Sequence, residues 1–187
     1  MTLIELPGYG VDWSSGRVTG SELLEWVNVD DEGFIIDKYK IYNDALQRND
    51  ASAIRELLQD DTIYAYQALQ WEGNPIRLKY YQDAVFTDNH RWIDVEAANQ
   101  QGKSFALCTK ASVKFLQHHG HNVTIGLISK SMNQNSMNMR MVRKMLKDAQ
   151  FKYTPGQSDN MTVMTHEFPD GVVNTLVCAV ASTSALG

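Results

Sequence analysis

The eight residues Ala97-Ala-Asn-Gln-Gln-Gly-Lys-Ser104 decide the fold that we expect from this chain. An apolar segment with strand character, 91–97, leads into them, and residues 105–118 after them have the apolar spacing of a helix. A strand, a loop ending in Gly-Lys-Ser and a helix follow one another in phosphate-binding loops, although Ala97 replaces the usual first glycine. The order of elements therefore predicts an α/β fold with an anion-binding loop.

The predicted loop binds phosphate mainly through its backbone. Successive N–H groups that point into one hollow attract an anion, and the helix that follows adds its dipole and its unpaired amides. Gly102 permits close approach, Lys103 supplies a positive charge for the β- and γ-phosphates, and Ser104 offers a hydroxyl to Mg²⁺. The candidate nucleotide-binding residues of the loop are Ala97, Ala98, Asn99, Gln100, Gln101, Gly102, Lys103 and Ser104. The alternative is an ordinary turn between a strand and a helix, with an exposed lysine.

A second candidate element is the stretch Arg77-Leu-Lys-Tyr-Tyr-Gln-Asp83, which precedes the loop. The amide of Gln82 carries both donors and an acceptor, which suits the edge of an adenine ring. Tyr80 or Tyr81 is available to stack on the base. Taken alone, the stretch is typical of a surface helix with aromatic residues, and its position before the phosphate loop is what favours a nucleotide site.

Helical patterns dominate the chain before residue 76, and strands appear after it. Predicted helices cover 39–48, 51–59 (capped by Asp50), 62–69, 78–86, 105–118 and 132–149, and predicted strands cover 91–97, 123–128, 162–168 and 172–181. Pro169-Asp-Gly171 predicts a hairpin turn between the last two strands. We therefore expect an acidic, mostly helical region, 1–75, and an α/β domain, 76–187, with a parallel sheet because parallel neighbours need crossover helices.

Two side-chain patterns in the later helices predict core packing. Met137, Met141 and Met145 recur every four residues and are expected, together with Val142, to lie on one buried face. Cys108, in the helix after the loop, is expected to be a small core residue. Neither pattern indicates a cofactor site.

Two polar features are open to a functional interpretation. Lys130 follows the strand 123–128 and is either a contact for a nucleic-acid phosphate or a solvated loop lysine. The segment His118-His119-Gly-His121 is not expected to bind a metal, because no cysteine or carboxylate cluster supports it. Histidines at the end of a helix interact favourably with its dipole, which is the simpler explanation.

Composition limits the class of protein. The 187 residues (21.1 kDa) are 43% apolar and 21% charged, which is typical of a globular chain. No run of about 18 apolar residues predicts a membrane span, and the first residues do not resemble a secretory signal. Two cysteines, Cys108 and Cys178, indicate a reducing cytosol.

Charge is unevenly distributed along the chain. Residues 1–96 hold 18 acids and 8 bases, whereas residues 97–187 hold 4 acids and 9 bases. The net charge of the first part is −10 and that of the second is +5. The basic part is either complementary to an anionic partner or an ordinary solvated surface.

These residues together resemble the large terminase subunit of tailed bacteriophages, an ATPase that drives DNA into capsids. The resemblance covers residues 76–187 and, more loosely, the helical segment before them. Leu78-Lys-Tyr-Tyr-Gln-Asp83 is similar to the adenine-binding motif of that family, with Tyr81 and Gln82 on its Tyr-Gln pair. Asn99-Gln-Gln-Gly-Lys-Ser104 is similar to its phosphate loop, with Asn99 where many terminases have arginine.

The resemblance implies a partial P-loop NTPase with a RecA-like parallel sheet, preceded by a small helical region. It implies ATP and Mg²⁺ as ligands, with Lys103 as the catalytic residue and Ser104 as the Mg²⁺ ligand. The implied activity is ATP hydrolysis coupled to DNA translocation, in the host cytoplasm and without a membrane. The implied partners are double-stranded DNA, a portal protein, a small terminase subunit and the remaining C-terminal part of the same protein.

The sequence departs from the family after the predicted hairpin. Relatives continue with a strand ending in Asp-Glu, whose carboxylates hold Mg²⁺ and polarise the attacking water. After residue 104 no apolar strand ends in this way, and the pair Asp31-Glu32 lies before the loop, beside Gly33. We therefore expect an N-terminal piece of a larger protein that binds ATP weakly and hydrolyses it little by itself.

Two other functions remain open on the sequence. A helicase-type or restriction-type translocase also places a glutamine motif before its phosphate loop. A non-catalytic interaction module would dock to a partner through residues 1–75 and keep the loop without using it.

Overall fold

The computed structural model describes residues 29–87, 102–147, 149–150 and 160–181. These residues form two compact units that interleave along the chain. The first unit comprises 29–64, 77–87 and 102–103, and the second comprises 65–76, 104–147, 149–150 and 160–181. The predicted division of the chain after residue 75 stays a prediction.

The described residues contain both helices and strands, which confirms the predicted α/β class. The helices are α1 (Asp37–Gln47), α2 (Ala51–Leu57), α3 (Asp61–Ala68), α4 (Tyr80–Thr87), α5 (Lys103–Leu116) and α6 (Met132–Lys147). The strands are β1 (Gln70–Trp71), β2 (Asn74–Pro75), β3 (Val123–Ser129), β4 (Val163–Glu167) and β5 (Val173–Val180). The predicted strand 91–97 lies outside the described residues. No helix in the described parts is long and apolar enough to cross a bilayer.

In the first unit, α1 and α2 follow one another closely. Asp50 begins α2 as predicted, because its side chain accepts a hydrogen bond of 3.0 Å from the N–H of Ala53. Tyr39 on α1 is buried, and its hydroxyl accepts a hydrogen bond of 2.7 Å from the N–H of Leu78. Burial raises the pKa of Tyr39 well above its usual value. The segment that leads into α4 is thus tied to α1 by a buried hydrogen bond.

A partly buried ion network also joins the helices of this unit. The ammonium of Lys38 donates to Asp60 Oδ2 and to Asp83 Oδ1, each at 2.9 Å. The buried Thr62 hydroxyl donates to Asp83 as well. Burial acts to lower the pKa of Lys38, but the hydrogen bonds to Asp83 and Asp60 outweigh it and leave that pKa above its usual value. The network therefore fixes α4 against α1 and the start of α3.

In the second unit, three strands form a mixed sheet in the order β3-β5-β4. β3 runs parallel to β5, with Val123 opposite Asn174 and Ser129 opposite Val180. β4 and β5 form the antiparallel hairpin that the turn Pro169-Asp-Gly171 predicts. The parallel pair requires a crossover, and α6 supplies its helix by packing on β3 and β5. The sheet is mixed because β5 has a parallel neighbour on one side, β3, and an antiparallel neighbour on the other, β4.

The methionine pattern predicted the buried face of α6 only in part. Val142 and Met145 are buried as expected, but Met137 is 63% exposed. The buried face consists of Asn135, Met139, Val142, Met145 and Leu146. Their spacing of three and four residues follows the helical repeat, whereas a strict spacing of four drifts around the helix.

A small hairpin, β1–β2, completes the second unit. Glu72 and Gly73 both have positive φ, at 55° and 81°, which is typical of a tight two-residue turn. The ring of Trp71 contacts Phe105 edge-on at 5.4 Å between centroids, and the Lys144 ammonium lies 4.0 Å from the Trp71 centroid. The sequence predicted a helix over 62–69 and no strand directly after it, so this hairpin and its packing on α5 and α6 were not predicted.

Asn174 on β5 closes the last turn of α5. Its Nδ2 donates to the carbonyl oxygens of Gln117, Phe115 and Lys114, at 2.8, 3.0 and 3.4 Å. Asn174 is fully buried, so these carbonyls have little access to water. A side chain of the sheet thus caps a helix that packs near it.

We predict that Asn174→Asp destabilises the protein more than Asn174→Ala at neutral pH. Alanine leaves the carbonyls without a donor, which costs about 1–3 kcal/mol, and a buried carboxylate adds repulsion against the same oxygens. Urea unfolding measures the free energy of unfolding of each variant. The difference between the two variants should become smaller in acid, where the protonated aspartate regains a hydrogen-bond donor.

The matched control is Asn122→Asp. The Oδ1 atom of Asn122 accepts a hydrogen bond of 2.9 Å from the N–H of Val173, and a carboxylate keeps that bond. We expect a change within about 0.5 kcal/mol for this exposed site. Equal effects of the two aspartate substitutions would contradict the capping role of Asn174.

We predict that Lys38→Met lowers the free energy of unfolding by about 1–3 kcal/mol, because it leaves the Asp83 carboxylate buried without its cation. Since the folded-state pKa of Lys38 is raised, its contribution is complete below the ordinary lysine value of 10.5 and is lost as the pH rises through the folded value. The stability difference from the native chain should therefore stay constant between about pH 7 and 9 and shrink above about 10.5.

Lys40→Met on the same helix is the control, because Lys40 is exposed. Urea unfolding at three pH values should show little effect of this variant. A Lys38 effect that is as small as the Lys40 effect would argue against the network.

Candidate functional site

The candidate site is built around the start of α5. Gly102 has φ of +76°, a left-handed conformation that glycine adopts without a penalty, and α5 begins at the next residue. Lys103 and Ser104 therefore occupy the first turn of a 14-residue helix. The Lys103 side chain is half-buried and that of Ser104 is exposed. The first N–H groups of a helix lack intrahelical partners and attract anions, so this end of α5 suits a phosphate.

Gln82 of α4 is in direct contact with Gly102. Its Nε2 donates to the carbonyl oxygen of Gly102 at 3.4 Å, and its Oε1 accepts from the N–H of Lys79 at 3.0 Å. A Cβ atom placed on Gly102 would lie 2.6 Å from Nε2 of Gln82. Both residues belong to the first unit. The structure thus brings together two residues that the sequence assigned to separate motifs.

The contacts of Gln82 also have a structural role. Gln82 is the third residue of α4, and its bond to the N–H of Lys79, just before the helix, is one half of a capping box. The side chain is 7% exposed. An amide offers two donors and an acceptor with two lone pairs, so one N–H and one lone pair are left over by these two bonds. This remaining pair has the donor and acceptor character that an adenine edge requires.

Tyr81 lies beside Gln82 on the first turn of α4. Its ring packs edge-on against that of Tyr80, with 5.4 Å between the centroids. Burial and then the neighbouring Tyr80 raise the pKa of Tyr81, so the hydroxyl is neutral at physiological pH. Asp83, the next residue, is held in the ion network with Lys38. Tyr81 and Gln82 therefore lie on a helix that the ion pair between Asp83 and Lys38 holds in place.

The other predicted loop residues lie outside the described parts of the chain. These are Ala97, Ala98, Asn99, Gln100 and Gln101. Their part in the site stays a prediction, and Gly102 is the first residue of the predicted loop that the structure describes.

The residues of the site fit Mg²⁺ in one respect. The Ser104 hydroxyl is exposed in the first turn of α5, where it is available to a hard cation that also binds phosphate oxygens and water. Within the described ranges, no three histidine, cysteine or acidic side chains are grouped so that they could hold a metal ion. Mg²⁺ would thus be held mainly by the nucleotide, with Ser104 as its protein ligand.

The segment after β3 combines structural residues with an exposed lysine. Ser129 is buried, and its hydroxyl accepts a hydrogen bond of 3.1 Å from Asn138. The Ser131 hydroxyl accepts a bond of 3.3 Å from the N–H of Gln134 and so caps α6. Lys130 between them is exposed, and both of its interpretations stay open.

His118, His119 and Cys108 have contacts or burial that a structural role explains. His118 contacts Asp170 at 2.8 Å, and this hydrogen bond lowers the pKa of the Asp170 carboxyl below its usual value. His119 Nε2 lies 2.8 Å from the carbonyl oxygen of Lys114. Cys108 is buried, which confirms the predicted core position, and burial raises the pKa of its thiol to about 12. A thiol with that pKa is a poor nucleophile.

Two parts of the structure were missed by the motif analysis. The first is the Gln82–Gly102 contact, for which the sequence carries no signal beyond the order of the motifs. The second is the cationic face of α6, whose Arg140, Arg143, Lys144 and Lys147 have a helical spacing that can be read from the sequence.

No protein-family model matches this chain, and no curated protein matches it. The residues themselves and their geometry carry the functional argument.

We predict that Gly102→Ala destabilises the protein more than Gly120→Ala. Both glycines have left-handed φ, +76° and +73°, so both substitutions carry a conformational penalty of about 1–2 kcal/mol. Only at Gly102 does the new Cβ meet another side chain, since nothing lies within 4 Å at Gly120. Displacing Gln82 breaks its hydrogen bonds and should cost about 1 kcal/mol more in urea unfolding.

The double variant Gln82→Ala/Gly102→Ala tests the cause. If the extra penalty comes from Gln82, the effect of Gly102→Ala in the Gln82→Ala background should fall to that of Gly120→Ala. Additive effects of the two substitutions would contradict the contact.

Proposed function

We propose that this chain binds ATP at the start of α5 and forms the ATP-binding portion of a motor that packages viral DNA, as in the large terminase subunit. The observation that carries the proposal is Gly102 in a left-handed conformation immediately before α5, with Lys103 and Ser104 in the first turn of the helix. A backbone of this shape, followed by a helix dipole and a lysine, is what a triphosphate tail requires.

Each named residue has a distinct role in this proposal. Lys103 pairs with the β- and γ-phosphates and stabilises the charge that develops on the transferred phosphoryl group, which makes it the catalytic residue of the chain. Ser104 holds Mg²⁺ through its hydroxyl. Gln82 binds the adenine edge with its remaining donor and lone pair, and Tyr81 stacks on the base. The amides of residues 97–101 complete the cradle.

The second unit supports an ATPase of this type. After α5 the chain continues into β3 and α6, and through the hairpin strand β4 it reaches β5, which is parallel to β3. Sheets of parallel strands bind ligands beyond their carboxyl ends, which is where the exposed Lys130 follows β3. The arrangement is in keeping with a P-loop NTPase of RecA-like topology.

In the complete motor, hydrolysis of ATP would drive movement along double-stranded DNA. Carboxylates would hold Mg²⁺ and polarise the attacking water in such a motor, and after residue 104 this sequence has no apolar strand ending in Asp-Glu to supply them. A portal protein and a small terminase subunit would be the other partners, in the host cytoplasm. The isolated chain should therefore bind ATP but hydrolyse little of it.

We predict that the 187-residue chain binds ATP in the presence of Mg²⁺ and that Lys103→Ala weakens this binding at least about tenfold, because a charge-assisted contact to phosphate is lost. Isothermal titration calorimetry measures the dissociation constant. Ser104→Ala should reduce the gain in affinity that Mg²⁺ provides, and Gln82→Ala should reduce the preference for ATP over GTP.

Lys40→Ala is the control for the charge change, since Lys40 is an exposed lysine of α1. It should leave the affinity within about twofold of the native value, which corresponds to about 0.4 kcal/mol. A native chain that does not bind ATP, or a Lys103 variant that binds as tightly as the native chain, would rule the proposal out in favour of a non-catalytic interaction module.

A further inference from the structure

Helix α6 carries a row of four positive side chains. Arg140, Arg143, Lys144 and Lys147 are spaced at i, i+3, i+4 and i+7, which places them along one side of the helix; we call them the α6 stripe. The 16 residues of α6 include no aspartate or glutamate. At 1.5 Å per residue the stripe extends about 10 Å along the helix axis.

The stripe points away from the sheet. The buried face of α6 is formed by Asn135, Met139, Val142, Met145 and Leu146, on the other side of the helix. Arg140, Lys144 and Lys147 are exposed and Arg143 is half-buried. The charges of the stripe are therefore presented to the solvent side of the second unit.

Two members of the stripe are held in place by neighbours. The Lys144 ammonium lies 2.8 Å from Glu72 and over the ring of Trp71. The guanidinium of Arg143 donates to the carbonyl oxygen of Asn160, which is a neutral acceptor. Because a carbonyl is neutral, this contact holds the Arg143 guanidinium in place without cancelling its charge.

The other two members have no such neighbours. In the described ranges, neither Arg140 nor Lys147 has an ion-pair partner. The helix dipole accounts for positive charge in the last turn, where Lys144 and Lys147 lie, but its effect fades within one turn. Arg140 lies about two turns before the end of α6, so the dipole does not explain it.

A groove runs beside the stripe. Its volume is about 360 Å³, and it is lined by Ser136, Met139, Arg140, Arg143, Asn160 and Met161. Arg140 and Arg143 are both among its lining residues, and Ser136 is a third polar one. Arginine forks match the oxygens of a phosphate, so the groove and the stripe together form a surface suited to a line of phosphates.

We propose that the α6 stripe binds the phosphate backbone of duplex DNA, with Arg140 and Arg143 as its main contacts. Phosphates follow one another at about 3.4 Å of rise along each strand, so a stripe of about 10 Å spans several of them. Helix α6 itself carries no acid, and Glu72 pairs only with Lys144, so Arg140, Arg143 and Lys147 form a run of positive charge. Such a run fits the repeating charge of the phosphates better than it fits a folded protein surface, where both signs alternate. The choice of DNA as the polymer rests on the proposed function, whereas the surface is independent of the ATP site.

The test measures binding of the full 187-residue chain to a fluorescently labelled 30-base-pair duplex by anisotropy over a series of salt concentrations. Arg140→Gln/Arg143→Gln should weaken binding at least about tenfold and lower the slope of log affinity against log salt by about 2. Arg140→Lys/Arg143→Lys keeps the charges and should retain most of the affinity. Circular dichroism shows whether each variant is folded.

The matched control is Arg48→Gln/Arg55→Gln, which removes two exposed arginines from the first unit and changes the net charge equally. It should leave the affinity within about twofold, because a site-specific contact does not depend on net charge alone. Equal losses in the two glutamine double variants would overturn the proposal in favour of general charge attraction.

Three further outcomes would overturn it. They are no binding of the native chain to the duplex, undiminished affinity of the Arg140→Gln/Arg143→Gln variant, and displacement of the chain by poly-glutamate as effectively as by unlabelled duplex. The last result would identify an acidic protein segment as the occupant. Failure of the proposed ATP site would give a different result from failure of the α6 stripe. Lys103→Ala would then leave the affinity for ATP unchanged, while the arginine-to-glutamine stripe variant would still bind the duplex more weakly.

Discussion

The left-handed turn at Gly102 is the constraint on which the candidate site depends. An L side chain at this position would carry a conformational penalty and would also meet the amide of Gln82, so only glycine allows the loop carbonyl to reach that amide. The same turn begins α5 and sets Lys103 and Ser104 in its first turn. The amide of Gln82 and the glycine of the predicted loop are thereby held together within the first unit.

In each of the two units, a buried amide side chain forms hydrogen bonds with backbone groups at the end of a helix or loop. Gln82 links the start of α4 to the loop carbonyl of Gly102, and Asn174 links β5 to the last carbonyls of α5. Each connects an element end, where backbone groups lack partners, to a side chain that is remote in sequence. The Lys38 network complements the first amide, since it fixes Asp83 beside Gln82. Polar contacts, rather than apolar packing alone, therefore define where the elements of each unit end.

The acidic and the basic parts of the chain use their charged side chains differently. The acidic first part contributes paired carboxylates to the internal network, whereas the basic later part places its cations on the open side of α6. Nucleotide binding would use the dipole and lysine at one helix start, and DNA binding would use a row of side chains on another helix. The two proposals thus rest on separate residues.

The sequence by itself determined the local elements of this protein. The helices, the cap at Asp50, the hairpin around Asp170 and the strand before Lys130 follow from spacing and turn chemistry, which act over a few residues. Only the tertiary structure decided that Gln82 reaches Gly102, that β3 lies beside β5 and that Met137 is exposed. These features depend on contacts between distant parts of the chain, and a local pattern carries no information about which partner a side chain or a strand edge will meet.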